Sequence, residues 1–220
     1  MRRAITTFAV SAITLLSLAT AASAQDPIPD PSANRTLSGS TNQACYSDPS
    51  SAACTDGALA DINAARAAEG VVPMVLPGDY ASLTVPQQLL VLANLERVDR
   101  GLAPIEGLSS SLDADAELGA EGDEDPPFDN IYGNAATANW EGGYSNPLES
   151  EFGWMYDDGL GSNNLDCTVG HTSGCWGHRH DTLWDFSEPA VMGAAYDPNT
   201  GDGPSQAEVF VGGDTETGQG

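Results

Sequence analysis

The stretch TVPQQLLVLANLERVDRG, residues 84–101, carries the strongest fold signal in the sequence. Thr84 and Gln87 match a capping box, and Pro86 suits a first helical turn because its missing N–H needs no partner there. Apolar residues then recur at helical spacing, at Val91, Leu92, Leu95, Val98 and Leu102. Gly101 interrupts the helical pattern near its end. The stretch therefore predicts an amphipathic helix that begins at residue 84 and packs one face against a core.

The end of this stretch repeats a pattern that occurs 31 residues earlier. Asn63-x-x-Arg66-x-x-x-Gly70-x-x-Pro73 recurs as Asn94-x-x-Arg97-x-x-x-Gly101-x-x-Pro104. Two copies are too few for a solenoid, which needs about three or more units. Two interpretations stay open: a true internal repeat, or a coincidence between two helix ends that each use glycine as a stop and proline as a breaker.

Other helix and strand signals lie on both sides of this stretch. A helix over 57–69 is predicted by the cap Asp56 and the stop Gly70. Further helices are predicted from Ser110 to about Gly122, and from Asn146-Pro147 to before residue 159. Residues 190–196 and 206–211 have strand composition and flank the turn-forming run DPNTGDGPS. Helices beside a small sheet predict the α/β class.

The N-terminus has the pattern of an export signal. Arg2 and Arg3 precede an apolar run over 4–18, and Ala22-Ser23-Ala24 ends in a small-residue cleavage pattern. We therefore predict a signal peptide over 1–24, secretion to the extracellular space, and no transmembrane segment after cleavage. Residues 25–55 are rich in Pro, Ser and Asn and predict an extended leader clipped by a disulfide, 56–214 one domain, and 215–220 a flexible tail.

The charge of the chain restricts its partners. Seven basic and 32 acidic residues give a net charge of −25, and loss of Arg2 and Arg3 with the signal would make it −27. So acidic a chain repels phosphate backbones, which argues against nucleic-acid binding.

Four cysteines are grouped as two close pairs, Cys45 with Cys54 and Cys167 with Cys175. Export leads to an oxidising compartment, so we expect two local disulfides, although three connectivities are formally open. Zinc ligation by Cys167 and Cys175 is the weaker alternative, because oxidation competes with thiolate binding.

Several segments resemble one known family when they are taken in order. NLERVDRGLAPIEGLSSSLDADAELGA, TANWEGGYSNPLESEFGW, GHRHDTL and VMGAAY resemble successive segments of the CAP family of cysteine-rich secretory proteins, antigen 5 and pathogenesis-related proteins, including their bacterial secreted SCP-like relatives. The resemblance covers residues 90–211. It implies an α-β-α sandwich with a small, mainly antiparallel sheet, flanking helices and an open cleft.

The chain departs from that family at the cleft. Many members hold two histidines and two glutamates there, which bind a divalent metal. This sequence has no histidine before His171, and Ala138 stands beside Asn139 where the family has glutamate, so that only His178 falls on a position of this tetrad. The resemblance therefore implies the scaffold without an intact metal tetrad.

Other candidate sites follow from residue types. His178 and His180, with His171 or Asp181, would offer zinc ligands if the segment were extended, whereas a helix over 179–183 would point the two imidazoles apart. Asp113-x-Asp115-x-Glu117 and Asp197-x-Asn199-x-Gly201-Asp202 are candidate calcium loops without the full EF-hand order. His178, Asn139, Trp154 and Trp176 are the candidate cleft and ligand-binding residues.

These observations favour a secreted CAP-like module that binds a lipid or cell-envelope component, with zinc or calcium as candidate cofactors. A secreted metal-dependent hydrolase centred on His178 and His180, and a calcium-stabilised surface protein, are the alternatives. The preference depends on His178 being a solitary imidazole, because one ring without acidic companions is too poor a ligand set to drive bond cleavage. Carboxylates within bonding reach of the ring would remove that argument.

Overall fold

The computed structural model describes residues 28–127, 135–162, 175–201 and 203–213. The predicted signal peptide and C-terminal tail lie outside these residues, and the domain boundaries stay predictions. The described elements are α1 Gly39–Ser47, α2 Ala52–Glu69, a 3₁₀ turn at Tyr80–Ser82, α3 Val85–Val98, α4 Ser110–Gly122, β1 Ala135–Gly142, α5 Pro147–Tyr156, α6 Gly177–Thr182, β2 Ala190–Thr200 and β3 Gly203–Gly212.

A three-stranded antiparallel sheet in the order β1-β3-β2 separates two helical layers. Successive residues of a strand point to opposite faces. Val209 and Val211 of β3 therefore pack with the apolar side of α4, whereas Phe210 packs with α3 and with Trp154 of α5. The predicted α/β class, with helices flanking a small antiparallel sheet, is confirmed.

Helix α4 lies directly on the sheet at Gly193. A Cβ atom at this position would come within 2.0 Å of the Leu112 carbonyl carbon, so only glycine permits this approach. Asp113 fixes the same contact, because its Oδ1 accepts the backbone N–H of Ala194 at 3.0 Å. Helix α4 begins one residue after its cap Ser109, close to the predicted start at Ser110.

Helix α3 begins as the sequence predicts. Thr84 is the N-cap, and its backbone N–H donates to Gln87 Oε1 at 3.0 Å in the expected capping box. The predicted apolar face is only partly correct, because Val98 is 50% exposed and the last turn instead buries Glu96 and Arg97. The buried side of α3 therefore ends with two charged residues, Glu96 and Arg97.

The repeated pattern is a true structural repeat at its two asparagines. Asn63 Oδ1 accepts the Met74 N–H at 2.6 Å, and its Nδ2 donates to the Met74 carbonyl at 3.2 Å. Asn94 makes the same pair of hydrogen bonds with Ile105, at 2.6 and 3.0 Å. Each asparagine therefore fixes the chain eleven residues further on, after a helix has ended.

The arginines of the two copies also make equivalent contacts. Arg66 Nε donates to the Val72 carbonyl at 2.9 Å, and Arg97 Nε donates to the Ala103 carbonyl at 3.0 Å. The glycines that follow both have positive φ, 76° at Gly70 and 82° at Gly101. The interpretation as a coincidence is therefore wrong: the shared sequence specifies one helix-ending motif, used twice.

We expect Asn63→Ala and Asn94→Ala each to lower the free energy of unfolding by about 1–3 kcal/mol, because each leaves a backbone N–H and a carbonyl without their partner. Denaturant unfolding of the two variants checks this. Asn199→Ala, at an exposed position near the end of β2, is the control and should change stability by less than about 0.5 kcal/mol. Equal stabilities for all three variants would contradict the prediction.

The segment predicted as an extended leader contains helix α1, which corrects that prediction. Ser38 caps it, accepting the Thr41 N–H at 3.2 Å, and the predicted disulfide joins Cys45 to Cys54. Leu37 and Cys45 are buried, so this part of the chain belongs to the packed structure. A short, polar helix has little apolar periodicity to reveal it in the sequence.

The observed bounds of two other helices, α2 and α5, can be compared with the predicted ones. Helix α2 begins after the cap Ser51 rather than after Asp56, and it ends at the predicted stop Gly70. Helix α5 has the predicted start, because Asn146 Oδ1 accepts the Leu148 N–H and Pro147 opens the first turn.

Within the described part of the chain, no helix has both the length and the apolarity to cross a bilayer.

Candidate functional site

Helix α6 carries His178 and is anchored by a buried arginine. Arg179 is 1% exposed; its Nη2 donates to Glu69 Oε2 at 2.8 Å and its Nη1 to the Met155 carbonyl at 3.0 Å. The backbone enters the helix through Trp176, which has a φ of 63°. The helical alternative for this segment is thus the one observed, and α6 is tied to both α2 and α5.

The second copy of the repeat holds the other end of α6. Arg97 Nη1 donates to the carbonyls of Thr182 and Trp184 at 2.7 and 2.9 Å. Burial lowers the pKa of Arg97 to about 10, against the opposing effect of Asp185 and Glu208, so it stays charged at neutral pH. The motif that ends α3 therefore also positions the helix of His178.

His178 lies between two aspartates. Its Nδ1 is 3.1 Å from Asp158 Oδ1, and its backbone N–H donates to Asp158 Oδ2 at 2.9 Å. On the other side of the ring, Nε2 is 3.7 Å from Asp125 Oδ1, which is an ion-pair distance rather than a hydrogen bond. The expectation of a solitary imidazole is wrong, and the argument that rested on it is removed.

The two aspartates decide the charge of the ring. Burial alone lowers the pKa of His178, but the contacts with Asp125 and Asp158 outweigh it and raise the pKa to about 10. The imidazole is therefore a cation at neutral pH. Asp158, whose side chain is only 2% exposed, holds it in place, whereas Asp125 is 54% exposed and lies at the solvent side.

Three further carboxyl groups surround this imidazolium. Burial raises the pKa of Glu141 and of Glu208 to about 8 and that of Asp181 to about 7, although the charge of His178 acts in the opposite direction on all three. Carboxyl groups with such pKa values are only partly ionised at neutral pH. The three carboxyl groups are therefore partly protonated at neutral pH, and a positive charge beside them favours their ionised form.

Of the predicted cleft residues, Asn139 lies beside this cluster but is fully buried. Its Nδ2 donates to Glu208 Oε1 at 2.7 Å and to Thr182 Oγ1 at 2.9 Å. Its neighbour Ala138 points to the opposite face and packs with α4. Asn139 therefore links β1 and β3 to α6 instead of lining an open cleft.

The two predicted cleft tryptophans are also buried. Trp154 is 0% exposed and packs in the core between α3 and the sheet, and Trp176 is 7% exposed. Trp184, just after α6, is 48% exposed. Of these three tryptophans, Trp184 is therefore the one with an exposed ring near α6.

The histidines proposed as a metal pair contact different carboxylates. His180 Nε2 lies 2.6 Å from Asp30 Oδ1, on the exposed side of α6, while His178 faces Asp158. His171 lies outside the described residues. A helix places residues i and i+2 on different sides, which separates the two rings.

The described residues do not assemble a metal site around His178. Its Nε2 and Asp125 Oδ1 are two donors, whereas catalytic zinc sites use three protein ligands. Within the described ranges, one group of three potential ligands converges, Cys45, Cys54 and Glu149, and its sulfurs form the disulfide. Of the calcium candidates, Asp113 and Asp197 both accept backbone N–H groups, and residue 202 is outside the described residues.

Cys175 is disulfide-bonded, as predicted, and its expected partner Cys167 lies outside the described residues. The most important site residues that the sequence did not reveal are Asp158, Asp125 and Glu208. Asp158 belongs to the doublet Asp157-Asp158 after α5, but such a doublet does not identify a site residue in a chain with 32 acidic residues.

We expect the His178 imidazole to stay protonated up to about pH 9, and Asp158→Asn to bring its pKa back toward the ordinary value near 6.5. An NMR titration of the ring nitrogens measures both pKa values, and His178→Gln assigns the signal. The matched control is His180→Gln, which should remove another signal and leave that of His178 unchanged. A His178 pKa below 7 in the unaltered protein would refute the interpretation.

Fold and site together define a three-layer α/β protein with an internal imidazolium held by carboxylates. Among solved structures, one titled "Crystal Structure of MpPR-1i" is similar to this chain at 17% identity and a TM-score of 0.37, covering 63% of this chain and 90% of that chain. No protein-family model matches the chain, and no curated protein matches it.

Proposed function

We propose that this protein is a secreted module that binds a neutral or positively charged component of the cell envelope, and that the His178 site is structural rather than hydrolytic. The predicted export signal supports secretion, as do the Cys45–Cys54 disulfide and the bonded Cys175, because disulfides persist in oxidising compartments. The observation that carries the proposal is the position of His178 between Asp158 and Asp125.

This arrangement disfavours base catalysis by His178. A general base must be unprotonated when it receives a proton, and its pKa is best placed near the working pH. The pKa of His178 is about 10, so at pH 7 the ring already carries the proton. Its positive charge instead balances part of the surrounding carboxylate charge.

Metal-assisted hydrolysis has little support in the same geometry. Nε2 of His178 lies 3.7 Å from Asp125 Oδ1, and the negative charge of this aspartate favours the protonated ring. A metal ion would also have to displace the proton from the imidazole. We therefore derive no catalytic step through a metal.

The distribution of positive charge restricts the ligand. The described residues contain five arginines, and four of them are buried, Arg66, Arg97, Arg100 and Arg179. Arg35 is the exposed arginine among the described residues, so nearly all of the formal charge on the described surface is negative. Such a surface repels phosphate and carboxylate groups. Zwitterionic lipid or an uncharged or amine-bearing wall polymer fits the charge better than anionic lipid.

Sedimentation of the mature chain with three probes tests the proposal: phosphatidylcholine vesicles, phosphatidylglycerol vesicles and insoluble peptidoglycan. We expect binding to the first or the third, and His178→Gln should retain it if the folded state is retained by circular dichroism. Binding to phosphatidylglycerol alone, or to none of the three, would overturn the proposal.

The alternative hydrolase is tested on the same preparation. Protein purified without added metal is analysed for zinc, and hydrolysis of peptidoglycan is followed by release of soluble fragments. Stoichiometric zinc and zinc-dependent release, both lost in His178→Ala, would favour the hydrolase. Absence of fragment release together with retained binding would support the binding module.

A further inference from the structure

A cavity lies between α1 and the loop that joins β1 to α5. It has a volume of about 800 Å³, within the range of small-molecule sites. Its lining includes Tyr46 and Gln43 of α1, Tyr144 of the loop and Glu149 of α5. We call it the α1 pocket. It shares no lining residue with the His178 site.

Glu149 is the charged group of the α1 pocket. The residue is only 5% exposed, and the hydrogen bond found for its carboxylate comes from the backbone N–H of Asn146. In the described part of the chain, no arginine or side-chain donor contacts this carboxylate. A carboxylate has about four acceptor positions, so Glu149 retains capacity for a donor from a ligand. A buried carboxylate without a cation is unfavourable, and a bound cation would relieve that cost.

Two tyrosines form the aromatic part of the same pocket. Tyr46 is 90% exposed and Tyr144 is half-buried. Burial, followed by repulsion from Glu141, Glu149 and Asp157, raises the pKa of Tyr144 to about 12, so its hydroxyl is neutral. Aromatic ring faces attract cations, and this attraction adds to that of a nearby carboxylate.

From the buried carboxylate, the two tyrosines and the volume of the pocket, we infer that the α1 pocket binds a primary organic ammonium group. The ammonium donates to Glu149, and its carbon substituent packs against Tyr46 and Tyr144. This inference rests on the proposed binding role and deepens it, because it specifies the ligand group that the module recognises.

Proton competition gives the site a pH dependence. Burial raises the pKa of Glu149 to about 7, against the hydrogen bond from Asn146. The other titratable groups in the lining are Tyr46 and Tyr144, and the raised pKa of Tyr144 keeps its hydroxyl neutral in this range. Because only the ionised carboxylate attracts an ammonium group, ammonium binding should strengthen from pH 6 to pH 8.

Benzylamine is a suitable probe, because it joins an ammonium group to an aromatic ring. Its dissociation constant is measured by NMR chemical-shift titration at pH 8 and low salt, with benzyl alcohol as the neutral analogue. We expect benzylamine to shift the Tyr46 and Tyr144 signals. Glu149→Gln should weaken binding at least about tenfold, since a hydrogen bond between charged groups is lost. Tyr46→Ala, a change at an exposed side chain, should weaken it several-fold.

Glu188→Gln is the matched control, because it removes the same charge from an exposed residue outside the pocket. It should change the dissociation constant by less than about twofold. Equal binding of benzyl alcohol, unchanged affinity in Glu149→Gln, or the same loss in Glu188→Gln as in Glu149→Gln would overturn the inference. Benzyltrimethylammonium separates the two attractions: binding as tight as that of benzylamine would refute donation of a hydrogen bond to Glu149.

The two proposals fail in different ways. If the chain sediments with its envelope probe equally well with and without Glu149→Gln, and benzylamine does not bind, the ammonium site is wrong and the binding module stands. If benzylamine binds at Glu149 but no envelope probe is retained, the proposed function is wrong, and the pocket's ammonium specificity stands without its proposed biological setting.

Discussion

Replacing Arg66 by methionine is expected to lower the free energy of unfolding by about 3–5 kcal/mol, which corresponds to roughly 6–20 °C in Tm for a domain of this size. Arg66 is 0% exposed. Its Nη1 donates to Glu96 Oε2 at 2.6 Å, and its Nη2 forms an ion pair with Asp99. The substitution leaves Glu96 buried with one of its two arginine partners lost, and it also releases the Val72 carbonyl.

Thermal unfolding followed by circular dichroism measures this effect. Arg35→Met is the matched control, because Arg35 is exposed and should shift stability by less than about 0.5 kcal/mol. Arg66→Lys separates charge from geometry: a lysine keeps the charge but lacks the planar fork that reaches Glu96, Asp99 and Val72 together, so we expect it to recover less than half of the loss. Similar Tm values for Arg66→Met and Arg35→Met would show that the buried network is not important for stability.

The protein is expected to lose stability as the pH rises from 5 to 8, by at least about 2 kcal/mol, or roughly 4–8 °C in Tm. Burial raises the pKa of Glu141 and Glu208 to about 8, and that of Glu149 and Asp181 to about 7. Between the ordinary carboxyl pKa and these values, the native state binds more protons than the unfolded state, so unfolding becomes easier with rising pH.

His178 extends the same trend to higher pH. Its pKa is raised to about 10, so the stability that it contributes is complete below about pH 6.5 and is lost as the pH rises through 10. Buffers of equal ionic strength between pH 5 and 9 are needed, because the net charge is large. Glu208→Gln should flatten the profile, whereas the exposed Glu188→Gln should leave its slope unchanged. A Tm that increases from pH 5 to pH 8 would contradict the assignment.

Much of the helical structure was predictable because its signals are local. The capping box at Thr84, the proline turn at Asn146-Pro147 and the glycine stop at Gly70 all involve residues within a few positions of each other. Helix α1 and strand β1 were not predicted. The side chains that β1 directs at α5 and α6 are polar, including Asn139 and Glu141, so the strand lacks a clear apolar alternation.

The candidate site was predictable only in its central residue. His178 stands out because the chain has three histidines, but its partners are 20 and 53 residues away, at Asp158 and Asp125. Acidic residues are so frequent here that sequence spacing does not identify which ones meet the ring. The separation of His180 from His178 followed from the helical form of the segment, which packing of Arg179 against Glu69 stabilises.

By itself, the sequence determined the α/β class, the main helix starts and stops, the Cys45–Cys54 pairing and the excess of negative charge, because propensity, capping, loop closure and composition act over short distances or over the whole chain. Only the tertiary structure decided that the two asparagine–arginine motifs are equivalent, that His178 is held as a cation between carboxylates, and that Glu149 is buried at a pocket that two tyrosines also line. These features depend on which distant groups share a buried volume, where low polarity strengthens each charge interaction and shifts each pKa.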